Sequence, residues 1–155
     1  MNTKTPLGDW VHRPLTGIDP DLLPFWEGLR SHEFRLCRCT RCGSWWYPYT
    51  VCRHHTDAPD FDEMVWTPSS GKGSVFTKVV VEQVNDPAFA AEVPYVLAIV
   101  ALDEGPHIPA RLIDCNAYDI EIDTRVEVTY LDSPIAEHTL PFFRPETTTD
   151  ASGSH

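Results

Sequence analysis

The sequence predicts a mainly β protein in which a short N-terminal helix and a metal-binding ribbon precede a five-stranded barrel. Three observations carry this. Four of the five cysteines, Cys37, Cys39, Cys42 and Cys52, crowd into sixteen residues, with His54 and His55 directly after them. That density suits metal ligation better than a disulfide framework, and the odd total agrees. Short apolar runs of strand composition, bounded by Gly, Pro, Asn and Asp, then follow from Met64 onward. No long helical pattern interrupts them, which favours an antiparallel barrel over an alternating α/β sheet. A length of 155 residues allows one ordinary domain, or a small domain carrying a smaller module. The expected order is an extended arm at 1–18, helix plus ribbon at 19–62, barrel at 63–146 and a disordered tail at 147–155.

The arm is rich in Pro and Gly and has little periodicity. Asp19 before Pro20 is a plausible N-cap for a helix over 21–31, whose apolar face is Leu22, Leu23, Phe25, Trp26 and Leu29. Cys39-Thr40-Arg41-Cys42 is a C-x2-C knuckle closed by Gly43, and Cys52-Arg53-His54-His55 is a C-x2-H pair when His55 is the ligand. Two facing knuckles place four soft donors tetrahedrally about a zinc ion with no open position for catalysis. The candidate ligands are therefore Cys39, Cys42, Cys52 and His55, with His54 as an alternative to His55 and Cys37 as an alternative to Cys39. Cys39 is preferred because a tight knuckle turn fits x2 followed by Gly, whereas Cys37 to Cys42 leaves a gap of four. The run Trp45-Trp46-Tyr47-Pro48-Tyr49 either packs the ribbon or anchors a partner.

Five strands are expected, at Met64 to Thr67, Gly73 to Gln83, Tyr95 to Leu102, Ile108 to Asp114 and Arg125 to Leu131. The last alternates cleanly, while Val79 to Val81 and Val96 to Val100 are apolar on both parities and belong in central or curved strands. Among small closed barrels the OB fold is the five-stranded example. Ser70-Gly71-Lys72-Gly73-Ser74 reads as a bend at a barrel corner more than as a phosphate cradle. Asn85 to Pro94 is a connecting loop, and Cys115 reads as buried rather than nucleophilic. No Ser-His-Asp order, carboxylate pair or H-E-x-x-H helix stands out, so no catalytic residue is assigned.

The formal charge of −11 sets the chain against phosphate polyanions and anionic membranes. Its distribution is uneven. Residues 30–55 carry five arginines against Glu33, whereas Glu82 to Glu137 holds twelve acids against Arg111 and Arg125. The longest apolar run, Tyr95 to Leu102, is far short of the roughly 20 residues a membrane span needs. A cytoplasmic setting is expected from the reduced cysteines and from an N-terminus without a secretory pattern.

Helix, knuckles and barrel in this order resemble a family of domain-of-unknown-function proteins that join a rubredoxin-like zinc ribbon to an acyl-CoA-associated OB fold. The resemblance covers about residues 20–146. It rests on Pro24 to Leu29, Cys39-Thr40-Arg41-Cys42-Gly43, Ser70 to Gly73, Ile113-Asp114-Cys115-Asn116 and Leu140 to Pro145. The chain departs from the family pattern at His55, where cysteine is usual, at Asp123, where glycine is common, and in the additional Cys37. Asp123 tolerates left-handed angles, so that turn is expected to survive. The resemblance implies an accessory subunit of a thiolase-like protein that thiolyses or cleaves, by retro-aldol chemistry, carbon–carbon bonds of acyl-CoA thioesters, including steroid side chains. It further implies a partner that holds the catalytic groups and a heterotetramer built on a partner dimer. Trp45, Trp46, Tyr47, Phe142 and Phe143 are the expected partner contacts, with Lys72 and the basic ribbon near CoA phosphates. The competing expectation is a single-stranded nucleic-acid module, for which the aromatics and Arg41 speak and the net charge speaks against.

Overall fold

The computed structural model of the protein describes residues 17–48, 51–55, 61–134 and 138–147. The extended arm before Gly17 and the tail after Thr147 lie outside the described residues.

Asp19 caps the first helical turn as its position suggests, its carboxylate accepting from Asp21 N–H at 2.9 Å. A 3₁₀ turn at Pro20–Leu22 leads into α1, Leu23–Arg30. The helix ends where Ser31 N–H donates to the carbonyls of Glu27 and Gly28 and His32 takes a left-handed φ of 55°. Phe25 and Leu29, one turn apart, are its buried face.

Strands β1 (Arg35–Cys39), β2 (Trp45–Trp46) and β3 (Met64–Pro68) form an antiparallel sheet in the order β2-β1-β3. Strands β4 (Lys72–Val81), β5 (Tyr95–Leu102), β6 (His107–Leu112), β7 (Arg125–Asp132) and β8 (Thr139–Pro145) close a barrel in the order β4-β5-β6-β8-β7. The β6–β8 contact is parallel, Leu112 opposite Phe143, and Lys72 to Ser74 of β4 seal the barrel against β7.

The expected class and the five-stranded barrel therefore hold, with one exchange of membership and three further strands in the ribbon sheet. Met64–Pro68 pairs along its whole length with β1 and belongs to the ribbon sheet, not the barrel. The fifth barrel strand is Thr139–Pro145, which the sequence suggested as a docking segment. Its prolines disguise a strand, since Pro141 and Pro145 each remove a ladder donor. Phe142 and Phe143 are consequently interior residues, 5% and 1% exposed, and their expected role as partner contacts is corrected to core packing.

The bend between β3 and β4 needs both its glycines. Gly71 has φ of 67°, and a Cβ on Gly73 would lie 2.5 Å from the Ala101 carbonyl oxygen. Asp123 occupies the left-handed region at 69°, and its N–H donates to the Val75 carbonyl, so the turn into β7 survives without glycine. Cys115 is buried, 6% exposed. Phe25, Leu29, Phe34 and Leu36 from the helix and ribbon join Val75, Val96, Val100, Leu112, Val126 and Phe143 of the barrel in a single core.

Candidate metal centre and aromatic ribbon

The first knuckle is built by the end of β1 and the turn after it. Gly43 N–H donates to the Cys39 carbonyl at 2.8 Å, and φ of 75° at Gly43 lets the chain double back into β2. Cys39 and Cys42 thereby face Cys52 and His55 from the second loop. The donor atoms of these four residues all lie within 4.8 Å of one another. Cys42 Sγ is 3.7 Å from Cys52 Sγ, and Cys39 Sγ is 3.6 Å from His55 Nε2. A tetrahedral ion with metal–sulfur bonds of about 2.3 Å and metal–nitrogen bonds of about 2.05 Å has sulfur–sulfur edges near 3.8 Å and sulfur–nitrogen edges near 3.6 Å. Three thiols and an imidazole at those spacings can hold a metal ion, and the four are the residues the knuckle spacing selected.

Two alternatives separate from the quartet. Cys37 is 1% exposed and stands opposite Trp46 and Trp66 on its neighbouring strands, and burial pushes its thiol up to about 11. It is a packing residue in the protonated form. His54 lies beside the quartet, its Nδ1 3.8 Å from Cys42 Sγ and its ring edge-on to Trp46. The Ser44 hydroxyl, 3.0 Å from Cys42 Sγ, the Ser44 backbone N–H and then His54 hold the Cys42 thiol down at about 5. The thiolate that a metal requires is thus already the favoured form at Cys42. At Cys39 burial acts in the opposite direction and raises the thiol.

The aromatic run after the knuckle is half-buried. Tyr47 lies 5.5 Å from Phe25 of α1, and Trp45 and Tyr47 both pack against the core. Trp46 donates its indole N–H to the Ser44 hydroxyl at 2.9 Å, which steers the same serine toward Cys42 and Cys52. The run therefore joins the helix to the metal loops, with part of each ring left at the surface. Lys72 is half-exposed and sits 3.9 Å from Glu146.

Sequence reasoning missed three polar contacts. Arg125 forms a bidentate pair with Asp103 at 2.6 and 2.7 Å, His32 meets Asp132 at 3.0 Å, and Arg111 meets Glu92 at 3.5 Å in the interior. A signal for two of them existed: Arg111 and Arg125 are the only basic residues from Glu82 to Glu137, where carboxylates abound.

A Cys3His knuckle pair on a small antiparallel sheet, packed through a short helix and half-buried aromatics against a closed five-stranded barrel, defines a class of ribbon–OB proteins. Comparison with known proteins agrees. The family described as ChsH2, C-terminal OB-fold domain, matches residues 66–131. A solved chain described as the Ltp2-ChsH2(DUF35) aldolase superposes with a TM-score of 0.72 at 31% identity, covering 86% of this chain and 98% of that one. The chain belongs to this DUF35 family. A probable enoyl-CoA hydratase alpha subunit of Thermomonospora curvata is 32% identical over 133 residues, 86% of this chain and 40% of that protein. The 3-oxo-4,17-pregnadiene-20-carboxyl-CoA hydratase alpha subunit of Mycobacterium tuberculosis is 32% identical over 126 residues, 81% of this chain and 38% of that protein. The chain spans about two fifths of the length of these two hydratase subunits.

Proposed function

We propose that this chain is a non-catalytic accessory subunit of an acyl-CoA-processing complex, held together by a structural zinc ion and docked on a thiolase-like partner. The single observation that carries the reading is the near end-to-end likeness to the DUF35 chain of an aldolase, 98% of that chain at 31% identity. Two acyl-CoA hydratase subunits among the relatives support the same substrate class, and the pregnadiene name of one supports a steroid side chain as the acyl group. The quartet offers four donors, so a tetrahedral ion held there would have no open position and would act as a staple between two loops. It requires free thiols, which fits a reducing, cytoplasmic setting. In this reading the partner supplies nucleophile and base for retro-aldol or thiolytic cleavage. The exposed parts of Trp45, Trp46 and Tyr47 form part of the contact, and a partner dimer with two copies of this chain gives a heterotetramer.

Co-purification tests the reading. Tagged full-length chain drawn from its source lysate is expected to recover a thiolase-fold protein in near-equal amount, with one zinc for each quartet. Recovery of nucleic acid alone, or of the chain by itself, would sink it.

A further inference from the structure

The ribbon sheet carries a cavity of about 340 Å3, lined by Arg38, Cys39, Thr40, Gly43, Val65 and Thr67. Arg38 lies opposite Trp45 on one neighbouring strand and Val65 on the other. Its guanidinium carbon is 5.2 Å from the centroid of the Trp45 ring. A guanidinium lying over an indole in a cation–π contact is held in place while its remaining N–H donors can reach a planar or tetrahedral anion. Arg38 is exposed and forms no ion pair with a carboxylate among the described residues, in a chain with 23 acidic residues against 12 basic ones. The two threonines are already oriented. Thr40 Oγ1 donates to the Glu63 carbonyl at 3.1 Å and Thr67 Oγ1 to the Val65 carbonyl at 2.9 Å. With their protons committed, both hydroxyl oxygens are left as acceptors.

One cation with open donors, two hydroxyl oxygens that accept, and an exposed valine wall describe a ligand that is anionic at one end and donates hydroxyl protons beside it. We propose that this cavity binds a ribose phosphomonoester, Arg38 taking the phosphate, the threonines accepting from sugar hydroxyls and Val65 flanking the sugar. Acyl-CoA carries such a group as its 3′-phosphate, so with CoA as the source the site rests on the function proposed above. A free nucleotide with a ribose phosphomonoester shares the chemistry; inorganic phosphate shares only the anionic end. A nucleic-acid strand suits it less, because the guanidinium sits over one face of Trp45 on which a base would stack and the chain carries a net charge of −11.

Titration of the metal-loaded full chain with CoA, dephospho-CoA, 3′-AMP and inorganic phosphate at fixed salt tests the site. CoA is expected to bind about tenfold or more tightly than dephospho-CoA, with 3′-AMP competing. Arg38→Gln is expected to abolish that preference with metal content unchanged. Tight binding of inorganic phosphate alone, equal to that of 3′-AMP, would show an anion site without sugar recognition and overturn the ribose assignment. Equal binding of CoA and dephospho-CoA, a preference that survives in Arg38→Gln, or no binding of any probe would overturn the site. So would oligonucleotide binding that ignores the 3′-phosphate. A partner recovered from lysate without Arg38-dependent CoA binding would leave the proposed function standing and remove this site; 3′-AMP binding through Arg38 without such a partner would do the reverse.

Discussion

Glu92 and Arg111 form an ion pair inside the molecule, their side chains 4% and 9% exposed, and the Arg111 guanidinium also lies 4.1 Å from the centroid of the Tyr95 ring. A buried pair of this kind adds little over an apolar substitute, but removing one member takes the opposite charge of this pair away from the one that stays buried. Glu92→Ala is therefore expected to destabilise the chain by about 3–5 kcal/mol, while the double variant Glu92→Leu with Arg111→Met loses much less. Denaturant melts of the two variants check this, and equal losses would mean that the pair itself stabilises the fold. Gly73 sets a steric limit of a different kind. An added Cβ meets the backbone oxygen of Ala101 at 2.5 Å, and a carbonyl inside a paired strand has little room to move. Gly73→Ala is expected to cost about 1–3 kcal/mol or more, where Gly17→Ala, with nothing within 4 Å, is expected to be neutral.

Between elements, two polar clasps do what the ladders cannot. Arg125 on β7 reaches Asp103 in the β5–β6 turn and Glu146 after β8, pinning the barrel seam where Lys72 to Ser74 meet β7. His32, just past α1, bonds Asp132 at the end of β7 and stacks on Tyr130 with centroids 4.9 Å apart and planes within 5°. The hydrogen bond from Arg125 holds the Asp103 carboxyl below the ordinary range; the Thr139 hydroxyl and then His32 do so for Asp132. A carboxylate whose folded pKa is depressed contributes stability above its unfolded pKa and loses it as pH falls through the folded value. The melting temperature is thus expected to drop as pH goes below about 4, more gently in Asp103→Asn and Asp132→Asn than in the wild type. Both clasps are solvent-exposed, so salt should weaken them. An acid limb identical in all three proteins would assign the loss to other carboxylates. The elements themselves were largely legible in the sequence. Knuckle spacing found the quartet because metal geometry is local, and β-branched runs found four of the barrel strands. The β8 strand escaped because its prolines mimic a turn, and β3 was misplaced because a strand's partner is set by long-range pairing that periodicity does not encode. Phe142 and Phe143 changed role for the same reason.

Across the whole molecule, helix, ribbon and barrel share one core, and this decides how loss of an ion bound at the quartet should propagate. Leu29, Phe34 and Leu36 are each 3% exposed or less and sit in the same cluster as Val96, Leu112 and Val126. The edge-on contact of Phe34 with Phe143, centroids 5.9 Å apart, carries the ribbon's side of the core directly onto β8. A separate ribbon domain would melt by itself when stripped of its ion, as small metal-dependent modules do. Here Cys39 of the quartet stands at the end of β1, which is paired to β3 over five residues, whereas Cys42, Cys52 and His55 lie in the loops beyond the ladder. Removing the ion with a chelator is therefore expected to expose those loops and lower the stability of everything joined to them, with helix and barrel still unfolding in one transition at a reduced temperature. Calorimetry of the holo and chelated chain, read beside hydrogen exchange, distinguishes the outcomes. One transition shifted downward, with exchange opening first around Cys42 to His55, fits a ribbon that is a metal-stapled extension of the barrel core. Two resolved transitions would show that the ribbon folds independently of the barrel, and the continuous core would then carry less of the stability than its packing implies.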